Sequence, residues 1–265
     1  MRRVRSRAAA LVWRLALPVA IVVAWVMLSR FLTSPTGRMM LPPPEAVYGA
    51  AERLVTTGQH HFGMPALLAH ILESLKRLAV GYSIAVCVAV PLGIVIGHFR
   101  FAETNLDFLI QALRPISPVA WIPIALTWFG VGMTTVVFVV FYGAFFPIVV
   151  NTIGGVKGTS RSYIRAALAC GCGPWRGLRR VILPAALPMI LTGMRIGLGV
   201  AWMTIIAAEL VGTQSGLGYM ISEARFNLDI ESIVVGMLVI GLLGLLSDRC
   251  LRWLQATLVP WHAKT

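Results

Sequence analysis

The segment that decides the fold is R-A-A-L-A-C-G-C-G-P-W-R-G-L-R-R-V-I-L-P-A-A-L-P, which runs from Arg165 to Pro188. It is short, basic and glycine-containing, and it separates two long apolar stretches. Three residues lie between Ala167 and Gly171, and nine lie between Gly171 and Val181. A basic helix-turn-helix kept in water between two apolar stretches indicates a surface on which another protein docks.

The composition is that of a membrane protein. Of the 265 residues, 58% are hydrophobic and only 12% are charged, and the mean hydropathy is +0.82. Apolar runs long enough to cross a bilayer agree with this class. The net charge of +13 does not indicate nucleic acid, because the basic residues lie mostly at the ends of apolar runs. Membrane lipid is therefore an expected partner, and nucleic acid is not.

The predicted fold class is an all-α integral membrane protein with six transmembrane helices. Each predicted span has roughly the 17–25 residues that a crossing helix needs, or somewhat more. We divide the chain into residues 1–65, which hold a cytosolic tail, the first transmembrane helix and a periplasmic segment, and a core domain, 66–265. The predicted spans cover about residues 11–32, 66–99, 106–129, 134–153, 185–211 and 233–254.

The distribution of Lys and Arg predicts the orientation. Basic residues concentrate before the first span, in the loop of about residues 155–183 and at the C-terminal end. With six spans these three regions lie on one side, which the positive-inside rule assigns to the cytosol. We therefore expect both termini in the cytosol and a multi-pass protein of the bacterial inner membrane.

Three prolines predict a break in the third span. Pro115, Pro118 and Pro123 fall within nine residues, and each lacks the N–H that a helix needs. Irregular backbone at membrane depth persists only against protein or a water-filled cavity. We therefore expect this span to face the interior of the assembly, although a kink that only shapes packing is an open alternative.

Two glycine pairs predict close contacts between helices. Gly93 and Gly97 lie four residues apart in the second span, and Gly193 and Gly197 lie four apart in the fifth. Small residues at this spacing let helix backbones approach closely. We interpret both pairs as packing positions.

The sequence carries no motif for catalysis or metal binding. Val156-Lys157-Gly158-Thr159 has the letters of a phosphate-binding loop in the wrong order, so we expect no ATP binding by a Walker A loop. Cys170 and Cys172 lack nearby histidines and are interpreted as reduced thiols. We expect neither an enzyme nor a bound cofactor in this chain.

The segment from Arg165 to Pro184 resembles the "EAA" loop of binding-protein-dependent ABC importer permeases. One letter departs, since the acidic first position of that motif is Arg165. Residues of about 70–255 are similar to the permease domain of the taurine, aliphatic sulfonate and nitrate importer subfamily, with the taurine branch closest. Supporting stretches are Leu41–Pro44, Arg114–Pro123, Trp128–Gly130, Arg195–Trp202, Ala207–Leu210, Gly216–Gly218 and Pro260–His262.

The resemblance implies a type I ABC importer permease fold with a cytosolic coupling helix. It implies a homodimer that works with two cytosolic ATPase subunits and a periplasmic substrate-binding protein. ATP and Mg would be bound by the partner ATPase. A plain basic loop that only anchors the topology is the alternative. The expected coupling residues are Arg161, Arg165, Ala166, Ala167, Gly171, Trp175, Arg176 and Pro184.

The substrate pathway is less evident from sequence. Arg195 lies well inside the fifth span, where it would either serve an anionic solute or extend to the cytosolic interface. Glu209 lies fourteen residues later, about 21 Å along the helix, so we expect it near the outer end, bonded to a neighbouring segment. The candidate pathway residues are Trp121, Trp128, Phe145, Arg195, Trp202, Met203 and Glu209.

Two questions stay open at this point. A secondary transporter is an alternative class, but it would call for inverted repeats and membrane-embedded carboxylates, and we find no convincing repeat. The substrate is expected to be taurine or an alkyl sulfonate, with nitrate and related small anions as alternatives, because specificity rests largely with a separate binding protein.

Overall fold

The computed structural model describes residue 16 and residues 19–31, 41–56 and 65–259, and within them the backbone is helical and has no β-strand. We number the α-helices in chain order and name a 3₁₀ turn, Pro118–Trp121, and a π turn, Leu178–Ile182, separately. The helices are α1 Val19–Phe31, α2 Pro44–Thr56, α3 Ala66–His98, α4 Arg100–Leu113, α5 Ile122–Phe129, α6 Met133–Lys157, α7 Arg161–Ala169, α8 Pro174–Gly177, α9 Leu183–Gly212, α10 Leu217–Phe226 and α11 Ile230–Leu258.

Among the described residues, four segments are long and apolar enough to cross a membrane: α3, α6, the continuous helix Pro174–Gly212, and α11. A fifth is formed if α4 and the bent segment Pro118–Phe129 count as one span. These correspond to the predicted spans two to six. Of the predicted first span, residues 11–32, the described part contains the shorter apolar helix α1, and the remainder lies outside the described residues. Six spans thus stay a prediction.

The predicted break in the third span is confirmed. α4 ends at Leu113, and the chain bends by 85° before it continues through the 3₁₀ turn into α5. Pro115 and Pro118 lie in or beside the bend. Pro123 does not break a helix, because it occupies the first turn of α5. N–H groups in a first turn form no hydrogen bond within the helix, so the missing N–H of proline costs nothing there. The bend therefore comes from two of the three prolines.

The largest apolar core forms around α6. A methyl group added at Gly193 of α9 would lie 2.6 Å from Cβ of Asn151, and one added at Gly93 of α3 would lie 2.6 Å from Cβ of Thr152. Gly97 and Gly197 meet Val156 and Ile148 in the same way. All four glycines therefore bring α3 or α9 against α6, which confirms the packing interpretation.

Contacts group the chain into two compact units. One comprises residues 1–67 and 221–238, and the other residues 68–220 and 239–265. In the first, Arg53 of α2 is paired with Glu231 at the start of α11, with 2.8 Å between Nη2 and Oε2. The second contains α6, its packing partners and all the sites described below. The division of the chain at residue 65 stays a prediction.

The close contact of α9 with α6 predicts a strong difference between two glycines of the same helix. Gly193→Leu must displace Asn151 and the Pro147 carbonyl, which would lie 3.2 Å from the new Cβ. Overpacking of this kind costs about 1–3 kcal/mol. Gly199→Leu is the matched control, because nothing lies within 4 Å of its added Cβ. Thermal unfolding in detergent should show a lower midpoint for the first variant only, and equal midpoints would contradict the packing account.

Candidate functional site

The loop after α6 folds into a short helix with a defined start. Ser160 is the N-cap of α7, and its Oγ accepts a hydrogen bond from the Ser162 N–H at 3.3 Å. A serine in this position satisfies one of the free N–H groups of a first helical turn. No residue of α7 is buried. The helix therefore presents its side chains on the surface of the chain.

Gly171 ends α7 in a two-bond turn. Its φ is +72°, in the left-handed region that glycine adopts without steric cost. The Gly171 N–H donates to the Leu168 carbonyl, and the Cys172 N–H donates to the Ala167 carbonyl, both at 3.0 Å. This is the Schellman arrangement of helix ends. The turn of the expected helix-turn-helix therefore lies at Gly171.

The chain then runs without a flexible linker into the long helix α9. Pro174 opens α8, the π turn follows, and Pro184 lies in the first turn of α9. A second apolar cluster anchors this connection to the end of α6. It comprises Val156, Leu178, Ile182, Ala186 and Ile190, with Ile164 of α7 packed against it.

The outer surface of this segment combines apolar and basic side chains. Tyr163, Leu168 and Trp175 are 62%, 61% and 73% exposed. An open groove of about 480 Å³ runs beside Ala166, Ala167 and Pro184. Arg161, Arg165 and Arg176 are exposed and form no ion pair within the described residues. The structure thus brings all eight predicted coupling residues into one surface segment, which we call the docking segment, residues 160–184.

Glu209 lies at the centre of a buried polar network. Its side chain is fully buried, and Arg77 of α3 reaches it with 2.9 Å between Nη1 and Oε1. The Ser74 hydroxyl lies 2.9 and 2.8 Å from its two oxygens, and the Gly218 N–H donates to Oε2 at 3.0 Å. Both carboxylate oxygens are therefore satisfied, as a buried charge requires. Bonding of Glu209 to a neighbouring segment, as predicted, is confirmed.

The same network holds the turn between α9 and α10. Arg77 also donates to the Ser215 carbonyl at 2.6 Å, and the Leu217 N–H donates to the Ser74 Oγ at 2.8 Å. The Gly216 N–H donates to the His70 Nδ1 at 3.1 Å. A Cβ at Gly216 would lie 2.4 Å from Glu209 Oε1. Only glycine therefore fits at position 216. The hydrogen bonds described above fix α3, α9 and the turn to one another.

Three of the four aromatic candidates for a pathway, Trp121, Phe145 and Trp202, belong to or pack against the main apolar core. The rings of Trp121 and Trp128 are tilted relative to each other with 6.3 Å between centroids, in an aromatic cluster with Phe138. Trp202 is buried in the main core, and its Nε1 lies 3.3 Å from the Ser247 hydroxyl. Phe145 packs against the same core.

The remaining candidates differ from one another in their surroundings. Met203 is 78% exposed, and Glu209 belongs to the network above. Arg195 is paired with Asp248 of α11, at 3.0 Å between Nε and Oδ1, and Asp248 also accepts from Arg252. A pathway role for these residues stays a prediction.

Several functional residues were not identified from the sequence. Arg77 and Ser74 lie in the polar first half of α3. This polarity could have indicated a buried ion pair, because a cation inside a membrane protein needs a carboxylate elsewhere in the chain. Asp248 was the missing partner of Arg195. Neither pairing follows from spacing, since the partners are 132 and 53 residues apart.

The comparison with known families agrees with this architecture. Residues 89–263 match the family described as "Binding-protein-dependent transport system inner membrane component", and the chain belongs to that family.

Relatives resemble the chain over most of its length. A putative ABC transporter permease protein of Methanocaldococcus jannaschii is 40% identical over 95% of this chain and 92% of its own. The taurine transport system permease protein of Escherichia coli is 37% identical over 94% and 88%. The nitrate import permease protein of Synechocystis is 37% identical over 73% and 70%. The predicted taurine, sulfonate and nitrate permease subfamily is thereby confirmed.

A solved structure resembles the fold. The inward-facing methionine ABC transporter MetNI superposes with a TM-score of 0.58 at 20% identity, covering 73% of this chain and 98% of that one. This likeness supports a type I ABC importer permease fold.

The buried network predicts a large cost for removing one partner. Arg77→Met leaves the Glu209 carboxylate without its cation, and breaking a buried pair costs about 3–5 kcal/mol. The double variant Arg77→Met/Glu209→Leu should cost less than the sum of the two single changes. The control is Glu73→Gln, since Glu73 also faces Arg77 but is 36% exposed. The free energy of unfolding in detergent is measured for these four variants and the unsubstituted protein. Strictly additive costs of the two single changes, or a Glu73→Gln variant as destabilised as Arg77→Met, would contradict this explanation.

Proposed function

We propose that the chain is the membrane permease subunit of an ATP-driven importer for a small oxyanion of the taurine type. In this proposal two copies of the chain form the translocation unit. Two ATPase subunits bind the docking segments on the cytosolic side, and a periplasmic binding protein delivers the solute. Both termini lie in the cytosol. The ATPase binds ATP and Mg, and this chain changes conformation in response to ATP hydrolysis by the ATPase.

The observation that carries the proposal is the docking segment. Large apolar side chains kept exposed in a basic, water-facing segment are typical of an interaction surface. The free charges of Arg161, Arg165 and Arg176 favour an acidic groove on the partner. Lys157 contributes less, because it is paired with Glu103 at 3.0 Å. Arg165 replaces the acid of the usual motif, so we expect the ATPase to meet a cation at this position.

The connection to the membrane helices explains how docking would be coupled to transport. The Schellman turn and the π turn leave no loose link between α7 and α9, and the cluster around Ile182 ties both to the end of α6. Movement of α7 by an ATPase would therefore move α9. α9 in turn packs along α6 through Gly193 and Gly197. Packed helices shift between discrete arrangements, as alternating access requires.

The names of the relatives support a class of substrate. The permeases of Escherichia coli and Synechocystis are named for taurine and nitrate. Taurine carries a sulfonate, and nitrate is a planar oxyanion, so the shared chemistry is a small group with a single negative charge on several oxygens. We infer a solute of this class and favour taurine because that relative covers more of the chain.

The direct test is reconstitution of the permease with its ATPase and binding protein in proteoliposomes. We expect taurine-loaded binding protein to stimulate ATP hydrolysis and to drive taurine into the vesicles. Stimulation with nitrate instead would change the substrate and keep the class. Uptake without an ATPase subunit, or no association with one, would contradict the proposal.

Two glycines of the docking segment provide a matched pair for the same assay. Gly171→Val forces a β-branched residue to a φ of +72°, which costs about 1–2 kcal/mol or more and loosens the end of α7. Gly173→Val should be tolerated, because its φ is −65° and its added Cβ meets nothing within 4 Å. We expect about tenfold less uptake per ATP for the first variant and near-normal uptake for the second. Equal uptake would contradict a coupling role for α7.

A further inference from the structure

A cavity of about 280 Å³ lies between α6, α9 and the bend that follows α4. Its wall is mostly apolar, with Ile116, Phe146 and Val200 among the lining residues. Three lining side chains are polar: Arg114, Tyr142 and Asn151. A concave apolar site with a few polar groups is the usual form of a small-molecule site. The volume is below that of sites for drug-sized ligands, about 300–1,000 Å³.

The cavity begins at mid-length of two membrane-crossing helices and extends towards the end of α6, where Asn151 lies six residues before Lys157. Tyr142 comes nine residues after the start of α6 and fifteen before its end. Val200 comes seventeen residues after the start of α9 and twelve before its end. At 1.5 Å per residue, both are more than about 13 Å from either helix end. The Tyr142 hydroxyl donates to the Leu113 carbonyl at 3.1 Å, which fixes the bend, and thus Arg114, at this depth.

Arg114 is a cation without a counter-charge. Its side chain forms no hydrogen bond or ion pair within the described residues, and no carboxylate lines the cavity. A cation at the centre of a bilayer is costly and usually faces a partner or a water-filled cavity. Arg195 differs, because Asp248 already neutralises it. Of these two arginines within spans, only Arg114 is available to an incoming anion.

We propose that this cavity is a binding site for the oxyanion group of the transported solute, with Arg114 as its cationic ligand. This inference rests on the proposed function and assigns the recognition chemistry within the membrane. A guanidinium offers paired N–H donors that match two oxygens of a sulfonate or nitrate. Asn151 also lines the cavity. Its Nδ2 donates one hydrogen to the Pro147 carbonyl at 2.8 Å, which leaves the second amide hydrogen for an oxyanion. The apolar wall would receive the short carbon chain of an alkyl sulfonate.

The test uses a cysteine in the cavity wall as a probe of local charge. In the permease–ATPase complex, the four native cysteines are replaced by serine and Val200→Cys is added. The thiol is then modified with sulfonatoethyl methanethiosulfonate, which carries a sulfonate, and with its trimethylammonium counterpart. We expect the anionic reagent to be preferred, and we expect Arg114→Gln to lower the anion-to-cation rate ratio about tenfold. Arg100→Gln, at the other end of α4, is the control and should leave the ratio unchanged.

Two further measurements test the binding site even if Arg114→Gln does not assemble. Arg114→Lys retains the charge and must retain the preference for the anionic reagent. In the unsubstituted Arg114 background, millimolar nitrate or taurine must slow modification of the cysteine, whereas glucose must not. An unchanged rate ratio in Arg114→Gln, or modification that neither oxyanion slows, would overturn the proposal.

Uptake separates this inference from the proposed function. If Arg114→Gln assembles, we expect it to lose about tenfold in uptake per ATP while hydrolysis stays stimulated by the loaded binding protein. Normal uptake in that variant would overturn the inference and leave the importer assignment intact. Absence of ATP-driven uptake in the unsubstituted protein would instead overturn the importer assignment.

Discussion

The buried pair of Arg77 and Glu209 is the interaction on which the arrangement of the helices depends most directly. It joins α3 to α9, and through Ser215 and Gly218 it also fixes the turn into α10. A carboxylate and a guanidinium inside a membrane protein persist only when every oxygen and most N–H groups are bonded. Because all the groups must meet at once, this network allows one relative position of the three elements.

The four glycine contacts act together with this network to set the distances between the helices. Gly93 and Gly97 set the distance between α3 and α6, and Gly193 and Gly197 set the distance between α9 and α6. The network closes one end of this group and the apolar cluster around Ile182 closes the other, so α6 and α9 are packed together between the two. If the docking segment binds an ATPase as proposed, its displacement would be transmitted to these helices and not absorbed in a loop.

The sequence predicted the parts of this structure that depend on neighbours in the chain. Helices match five of the six predicted spans when α4 and Pro118–Phe129 count as one span, and the prolines after Leu113 predicted the bend, since both signals are local. The pairing of Arg77 with Glu209 and of Arg195 with Asp248 could not be predicted, because it depends on the register between helices. For the same reason the sequence did not reveal that Arg195 is paired with Asp248, whereas Arg114 forms no ion pair within the described residues.

Site-specific photo-crosslinking would show whether residues 160–184 dock on the ATPase. A photoreactive amino acid would replace Leu168, which is 61% exposed on α7, and, as a control, Tyr48, which is 73% exposed on α2. After illumination of the assembled transporter, we expect position 168 to form an adduct with the ATPase subunit and position 48 to form none. An ATPase adduct from position 48 with none from position 168 would contradict the account.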